Sequence, residues 1–204
     1  GFGITSVAHL RAASTNSVVI DGTPPTTTIA TASFSADTGS SSSDFNTKTA
    51  AQTVSGTLSA NLASGETVQV SLDNGGTWTN ATATVGLNTW SLSAQTLTAS
   101  NTLKVKVTDT AGNDGTVFSQ AYVLDQTAPT TTVASVSFSA DTGSSGTDFI
   151  TKTAAQDISV VLNADLISGE AVQVSLDNGS TWANASIDGD PKHLKLAGQT
   201  LTAS

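Results

Sequence analysis

Apolar and polar residues alternate along most of this chain. Val54, Gly56, Leu58 and Ala60 occupy every second position, as do Val68, Val70 and Leu72, then Trp90 with Leu92, then Leu103, Val105 and Val107, with polar residues between them. A period of two places one side of an extended segment in a core and the other in water, so these runs predict β-strands. The turn signals ASGE (63–66), DNGG (73–76) and AGNDG (111–115) separate them at the spacing of a sandwich. No segment carries the 3.6-residue period of a helix.

The pattern occurs twice. VVIDGTPPTTT (18–28) matches YVLDQTAPTTT (122–132), and ADTGSSSSDFN (36–46) matches ADTGSSGTDFI (140–150), both at an offset of 104 positions. The Asp-x-Thr-x-Pro elements, Asp21 to Pro25 and Asp125 to Pro129, are natural boundaries, because proline stops strand pairing and restricts the residue before it. Residues 1–20 then read as an irregular head or the tail of a preceding repeat, 21–124 as one repeat and 125–204 as a second. The second lacks a counterpart of NTLKVKVTDTAGNDGTVFSQAYVLD (101–125) and is C-terminally incomplete. The expected fold is all-β: tandem immunoglobulin-like sandwiches of about seven strands per repeat, in two packed antiparallel sheets. Trp78, Trp90, Leu58, Val70 and Val105 are expected in the first core, with Ile158, Leu162, Val172, Val174, Leu176 and Trp182 in matching places of the second. At 185–196, ASIDGDPKHLKL replaces ATATVGLNTWSL, so that Leu194 and Leu196 stand for Trp90 and Leu92.

Composition narrows the function classes. Sixteen acidic against seven basic residues give a formal net charge of −9 over 204 residues. That balance argues against nucleic acid and anionic lipid as partners. With no cysteine there is neither a disulfide nor a thiolate zinc site. No apolar run is long enough to insert in a membrane, and the start shows neither an initiator Met nor a signal-peptide pattern, as in a fragment or processed product. His9 and His193 have no paired acid or nucleophile, and no nucleophile elbow or phosphate-binding loop occurs, so no enzyme activity is expected.

Each DTG loop sets two carboxylates seven positions apart, Asp37 with Asp44 and Asp141 with Asp148, in a Gly- and Ser-rich segment. SLDNGGTW (71–78) and SLDNGSTW (175–182) match the Asp-box, whose role is structural: Asp73 accepts turn amides, Gly75 supplies a positive φ, and Trp78 packs back on the hairpin. A sialidase built on that motif needs several arginines, whereas the only arginine is Arg11. VTDTAGN (107–113) is either an Asx-stabilised hairpin or a source of ligands near Asp21. Glu66 and Glu170 are expected to be solvated. Asp188 and Asp190, in a Gly- and Pro-containing turn, read as loop variation or as a further ion site.

Together the Asp-x-Thr-x-Pro junction, the DTGxxxxDF loop, the VQVSLDNGGTW hairpin and the VTDTAGN turn resemble the tandem bacterial immunoglobulin-like repeats of large secreted or cell-surface adhesins, over about 18–204. The resemblance implies an extender that projects a distal binding domain, outside the cell or on its surface, with calcium at the domain junctions. Candidate ligands are Asp21, Asp37, Asp44, Asp109, Asp125, Asp141 and Asp148. Independently of the resemblance, carboxylates gathered at a junction repel unless a hard, oxygen-seeking cation such as Ca²⁺ neutralises them. The plainer reading is an acidic loop whose aspartates cap their own turns. Expected partners are neighbouring repeats of the same chain and other copies of it through exposed strand edges. A glycan- or surface-binding module, using Thr- and Ser-rich strand faces such as TTT (26–28 and 130–132), is the alternative, as is a fibre built by strand exchange.

Overall fold

The computed structural model describes residues 20–202, so the expected head at 1–20 lies almost wholly outside the described residues. The chain divides into two compact units after Gln126. All the described regular structure is β.

Among the described residues the first unit has nine strands: β1 (Ile29–Phe34), β2 (Asn46–Thr47), β3 (Ala51–Leu58), β4 (Thr67–Ser71), β5 (Thr79–Asn80), β6 (Thr82–Ala83), β7 (Thr89–Thr96), β8 (Asn101–Thr108) and β9 (Phe118–Leu124). One sheet runs β1-β3-β7-β6 and the other β2-β9-β8-β4-β5. Every pair is antiparallel except β2 with β9, which is parallel. This departs from two wholly antiparallel sheets because a two-residue strand at the end of the DTG loop turns back alongside the last strand.

The alternating residues meet between the sheets as the period demands. Val54, Leu58, Trp90 and Leu92 from one sheet and Val68, Val70, Leu103, Val105 and Val107 from the other form one buried cluster, with Phe34, Phe45 and Tyr122. Two expected members are elsewhere. Ala60 lies past the end of β3 and is exposed. Trp78 sits half-buried on the outer side of the second sheet, where the Lys106 ammonium lies 4.4 Å from its ring centroid. Because 105 and 107 point inward, 106 points outward, and the tryptophan covers that aliphatic stem instead of joining the core.

Gly56 is in the inward set for a steric reason. A Cβ there would come within 1.9 Å of the Thr31 carbonyl oxygen and 2.7 Å of Trp90 Cζ2, so only glycine admits the indole at this crossing. In the second unit the corresponding pair is Val160 opposite Leu194, both buried. Volume moved from one strand to its neighbour, and the Trp90 Nε1–H, which is buried without a partner, has no equivalent there.

The second unit contains β10 (Val133–Phe138), β11 (Ala155–Leu162), β12 (Gln173–Val174), β13 (Ala183–Asn184), β14 (Ser186–Asp188) and β15 (Asp190–Thr200). Its four-stranded sheet, β10-β11-β15-β14, repeats the first unit's β1-β3-β7-β6 arrangement. Opposite it, among the described residues, stand only β12 and β13 as a separate pair. Leu176 and Trp182, expected inside, are 45% and 59% exposed; among the described residues no strand like β8 lies beside β12, and Trp182 holds the position of Trp78, outside the core in the first unit as well.

Candidate functional site

The DTG loop is built around a strained aromatic residue. Phe45 has φ 60° and Phe149 has φ 58°, a conformation disfavoured for a bulky side chain. Asp37 holds it there: its Oδ2 accepts the Phe45 amide at 2.9 Å, and Asp141 does the same for Phe149 at 3.0 Å. In the first unit this turns the Phe45 ring into the core, edge-on to Phe34 with centroids 5.0 Å apart, while Phe34 meets Tyr122 at 5.5 Å. Asp44 caps the loop's far end. Its Oδ1 accepts the Asn46 amide at 3.0 Å, and that bond holds its carboxyl below the ordinary value. Gly39 makes the closure feasible, because a Cβ there would meet the Asn46 carbonyl oxygen at 2.8 Å.

A side chain not anticipated from sequence ties this loop to the sheet. Gln52, buried on β3, donates through Nε2 to the carbonyls of Ala36 (2.9 Å) and Thr49 (2.8 Å), and accepts the Ala36 amide at Oε1 (3.0 Å). Gln156 repeats these bonds with Ala140 and Thr153. The signal was present: TKTAAQ stands unchanged at 47–52 and 151–156, and a glutamine in an inward register is costly to bury unless fully bonded.

At the other end of the first unit, Asp109 Oδ1 accepts the amides of Ala111 and Asn113, both at 2.9 Å. Asn113 Nδ2 donates to Asp109 Oδ2 at 2.9 Å and to the Asp21 carbonyl at 3.1 Å. The bond from the Asn113 side chain is the main reason that Asp109 stays below the usual carboxylate range. The turn is thus Asx-stabilised and also touches the incoming chain at Asp21, whose carboxylate accepts the Thr23 amide at 3.0 Å.

The seven aspartates therefore fall into separate places. Asp21 and Asp109 lie at the end where the chain comes in. Asp37 and Asp44 share the loop at the other end, where the Asp125 amide donates to the Thr47 carbonyl at 2.9 Å. Asp141 and Asp148 repeat the loop in the second unit. Among the described residues no three His, Asp or Glu side chains gather closely enough to hold a metal ion. Most of these carboxylates accept neighbouring amides. Two of their oxygens bear on cation chemistry: Asp37 Oδ1 and Asp141 Oδ1 are buried and accept no hydrogen bond. A buried carboxylate oxygen left without a hydrogen bond is the kind of hard oxygen donor that Ca²⁺ takes.

The Asp-boxes act as expected. Asp73 accepts the Ser71 hydroxyl (2.7 Å), the Thr77 amide (2.8 Å) and the Thr77 hydroxyl (2.7 Å), bonds that put its carboxyl well below the ordinary value, Ser71 contributing most. Asp177 is lowered to about 2 in the same way, chiefly by the Thr181 hydroxyl. Gly75 and Gly179 have φ 94° and 85°. Glu66 and Glu170 are not merely solvated: each caps its own turn, accepting the amides of Ala63 (3.0 Å) and Ile167 (3.2 Å). Asp188 pairs with Lys195 at 2.8 Å. On the strand face considered for glycan binding, Thr31 and Thr57 hydroxyls bond one another at 2.8 Å, as do Ser33 and Ser55 at 3.3 Å, and Thr27 is buried.

No protein-family model matches this chain, and no curated protein matches it. A solved structure, the crystal structure of a tetra-tandem repeat in the extending region of a large adhesion protein, is similar at 21% identity with a TM-score of 0.30. The match covers 84% of this chain and 40% of that one, so the chain spans less than half of its length.

Proposed function

We propose that this chain is a calcium-stiffened stretch of structural extender repeats from a bacterial surface or secreted adhesin, working outside the cell to project a distal binding domain, with no catalytic role. One observation carries the reading. The first unit takes in its chain at Asp21, against the Asn113 turn, and β9 runs from that turn to the opposite end, where Asp125 leaves beside Thr47. A domain entered at one end and left at the other lengthens an array with each copy instead of folding it back. The repeat at 104-residue spacing and the mutual satisfaction of the strand-face hydroxyls support the same reading over a glycan-binding one.

Ca²⁺ would be held at the DTG loops by Asp37 and Asp44, and by Asp141 and Asp148, with Asp125 beside the first loop and Asp21 and Asp109 serving the junction upstream. Its contribution would be charge neutralisation and restraint of the linker. At millimolar calcium, a site with a dissociation constant of about 10⁻³ to 10⁻⁴ M adds on the order of 1 kcal/mol. Small-angle scattering of the chain in calcium and in chelator tests this. The maximum dimension should be larger and the flexibility lower with calcium; identical profiles would dispose of the stiffening.

A further inference from the structure

The turn between β14 and β15 is where the two units part in sequence. GDPKH (189–193) stands where the first unit has VGLNT (85–89), and it brings in the sequence's single Asp-Pro bond, Asp190 to Pro191. Gly189 takes φ 82° to make the turn, and Asp188 pairs across it with Asp190. Asp190 Oδ1 accepts the Lys192 amide at 2.8 Å. That bond closes a ring containing the Asp190–Pro191 link, so the carboxylate is folded back over the peptide bond that follows it. Beyond the link, the Pro191 carbonyl accepts the Leu166 amide at 3.2 Å, which fastens the proline to the loop at 163–170. His193 returns beside the aspartate, its Nδ1 4.0 Å from Asp190 Oδ2. The neighbouring lysines lie against other acids: Lys195 Nζ is 2.8 Å from Asp188 Oδ2 and Lys192 Nζ 4.0 Å from Asp165 Oδ1. On β11 the residue opposite His193 is the uncharged Val161. Residues 190–193 are exposed, and so are 86–89 in the first unit, where β8 and β9 are in place. Exposure here belongs to the turn itself.

We propose that the Asp190–Pro191 bond is a self-cleavage site, with Asp190 as nucleophile and His193 as proton donor. A carboxylate oxygen of Asp190 attacks the carbonyl carbon of its own residue. The carbon–nitrogen bond to Pro191 breaks, its electron pair stays on the prolyl nitrogen, and the His193 imidazolium gives that nitrogen its proton. Water opens the cyclic anhydride left on Asp190 to two carboxyl groups and returns a proton to the imidazole. Pro191 favours this course because it has no amide hydrogen, so its nitrogen cannot close on the side chain to form a succinimide instead. This is one turnover of the chain on itself, not an enzyme activity. After the cut β15 stays laddered to β11 and β14, so the halves remain together until they are pulled or denatured apart. In an extender that makes a point of release under load.

The test incubates the whole 204-residue chain at pH about 5.5 and about 8, on either side of the ordinary imidazole pKa of about 6.5, and reads denatured samples by mass spectrometry and N-terminal sequencing. A fragment beginning at Pro191 is expected, formed at least about tenfold faster at the lower pH. Asp190→Asn keeps an acceptor for the Lys192 amide and should abolish the fragment. His193→Gln should slow cleavage at the lower pH about tenfold or more, and His193→Lys, a cation without a matched pKa, should not rescue it. The chain unfolded in guanidinium at the same pH should be cut at least about tenfold more slowly, since the turn that folds the carboxylate over the bond is lost. Absence of the fragment, an equal rate in guanidinium, or an unchanged rate in either Asp190→Asn or His193→Gln would each overturn the assignment.

Discussion

Phe45 and Phe149 stand at the same place in two copies of one loop, with nearly the same φ and the same aspartate bond, and differ in what lies over them. The first is buried against Phe34, which in turn meets Tyr122; the second leans on Phe138 and is half exposed. The local geometry of the loop is therefore specified by the loop itself, through Asp37 or Asp141, Gly39 or Gly143, and Gln52 or Gln156. Burial is specified from a distance, by β8 and β9. Local chemistry sets the backbone, and the opposing sheet makes that backbone worth its strain.

The comparison is most sharply broken at the Gly56 crossing. Gly56→Val should cost on the order of 4 kcal/mol or more, enough to unfold the first unit, because the new side chain meets a backbone oxygen as well as the indole. Adding Trp90→Leu should restore part of that loss, since Val160 with Leu194 is the same combination in working order. Chemical denaturation of the single and double variants measures the coupling; strictly additive costs would mean the two positions do not share one space.

A smaller effect separates the two phenylalanines. Phe45→Ala should destabilise its unit by about 3 kcal/mol or more, and Phe149→Ala by about 1 kcal/mol, because little of that ring is withdrawn from water. Equal costs, read from the two units' unfolding transitions, would show that the Phe149 ring is covered in solution.

The smallest effect concerns acid. The folded pKa of Asp177 is depressed to about 2, below the roughly 3.9 of an unfolded aspartate. Its stabilising contribution is therefore full above pH about 4 and disappears as the pH falls through about 2. Asp177→Asn should lower the thermal midpoint of the second unit at neutral pH and converge with the parent chain near pH 2. A constant difference across that range would assign the effect to lost geometry rather than charge.

Much of this was legible in the residues. The period of two placed Val54, Leu58, Val68, Val70, Val105 and Trp90 inside, and the offset of 104 separated the two copies. Turn chemistry announced the Asp-boxes and the Asp109 turn, because Asx and glycine conformations depend only on near neighbours. Trp78 was misplaced because period two says which side of a sheet a residue faces but not that a lysine stem on the outer side will shelter an indole. Leu176 was misplaced because burial needs the strand alongside, and Trp182 for the same reason as Trp78. The local roles of Asp37, Asp44 and Asp109 were harder to read, since they depend on which amides, those of residues 45, 46, 111 and 113, lie near enough to bond those oxygens. Gln52 escaped notice because a glutamine reads as surface until its partners are known.

The exchange of glycine and tryptophan in one unit for valine and leucine in the other also bears on how such a chain finds its fold. Tandem copies with similar sequences are prone to trade strands while folding, each accepting its neighbour's segment. Here a β11 segment inserted into the first unit would drive a valine into the Trp90 ring and the Thr31 carbonyl, and a β3 segment inserted into the second would leave a void beside Leu194. Interlocking cores of unlike shape thus mark each segment for its own sandwich, so that likeness of plan does not become interchangeability of parts.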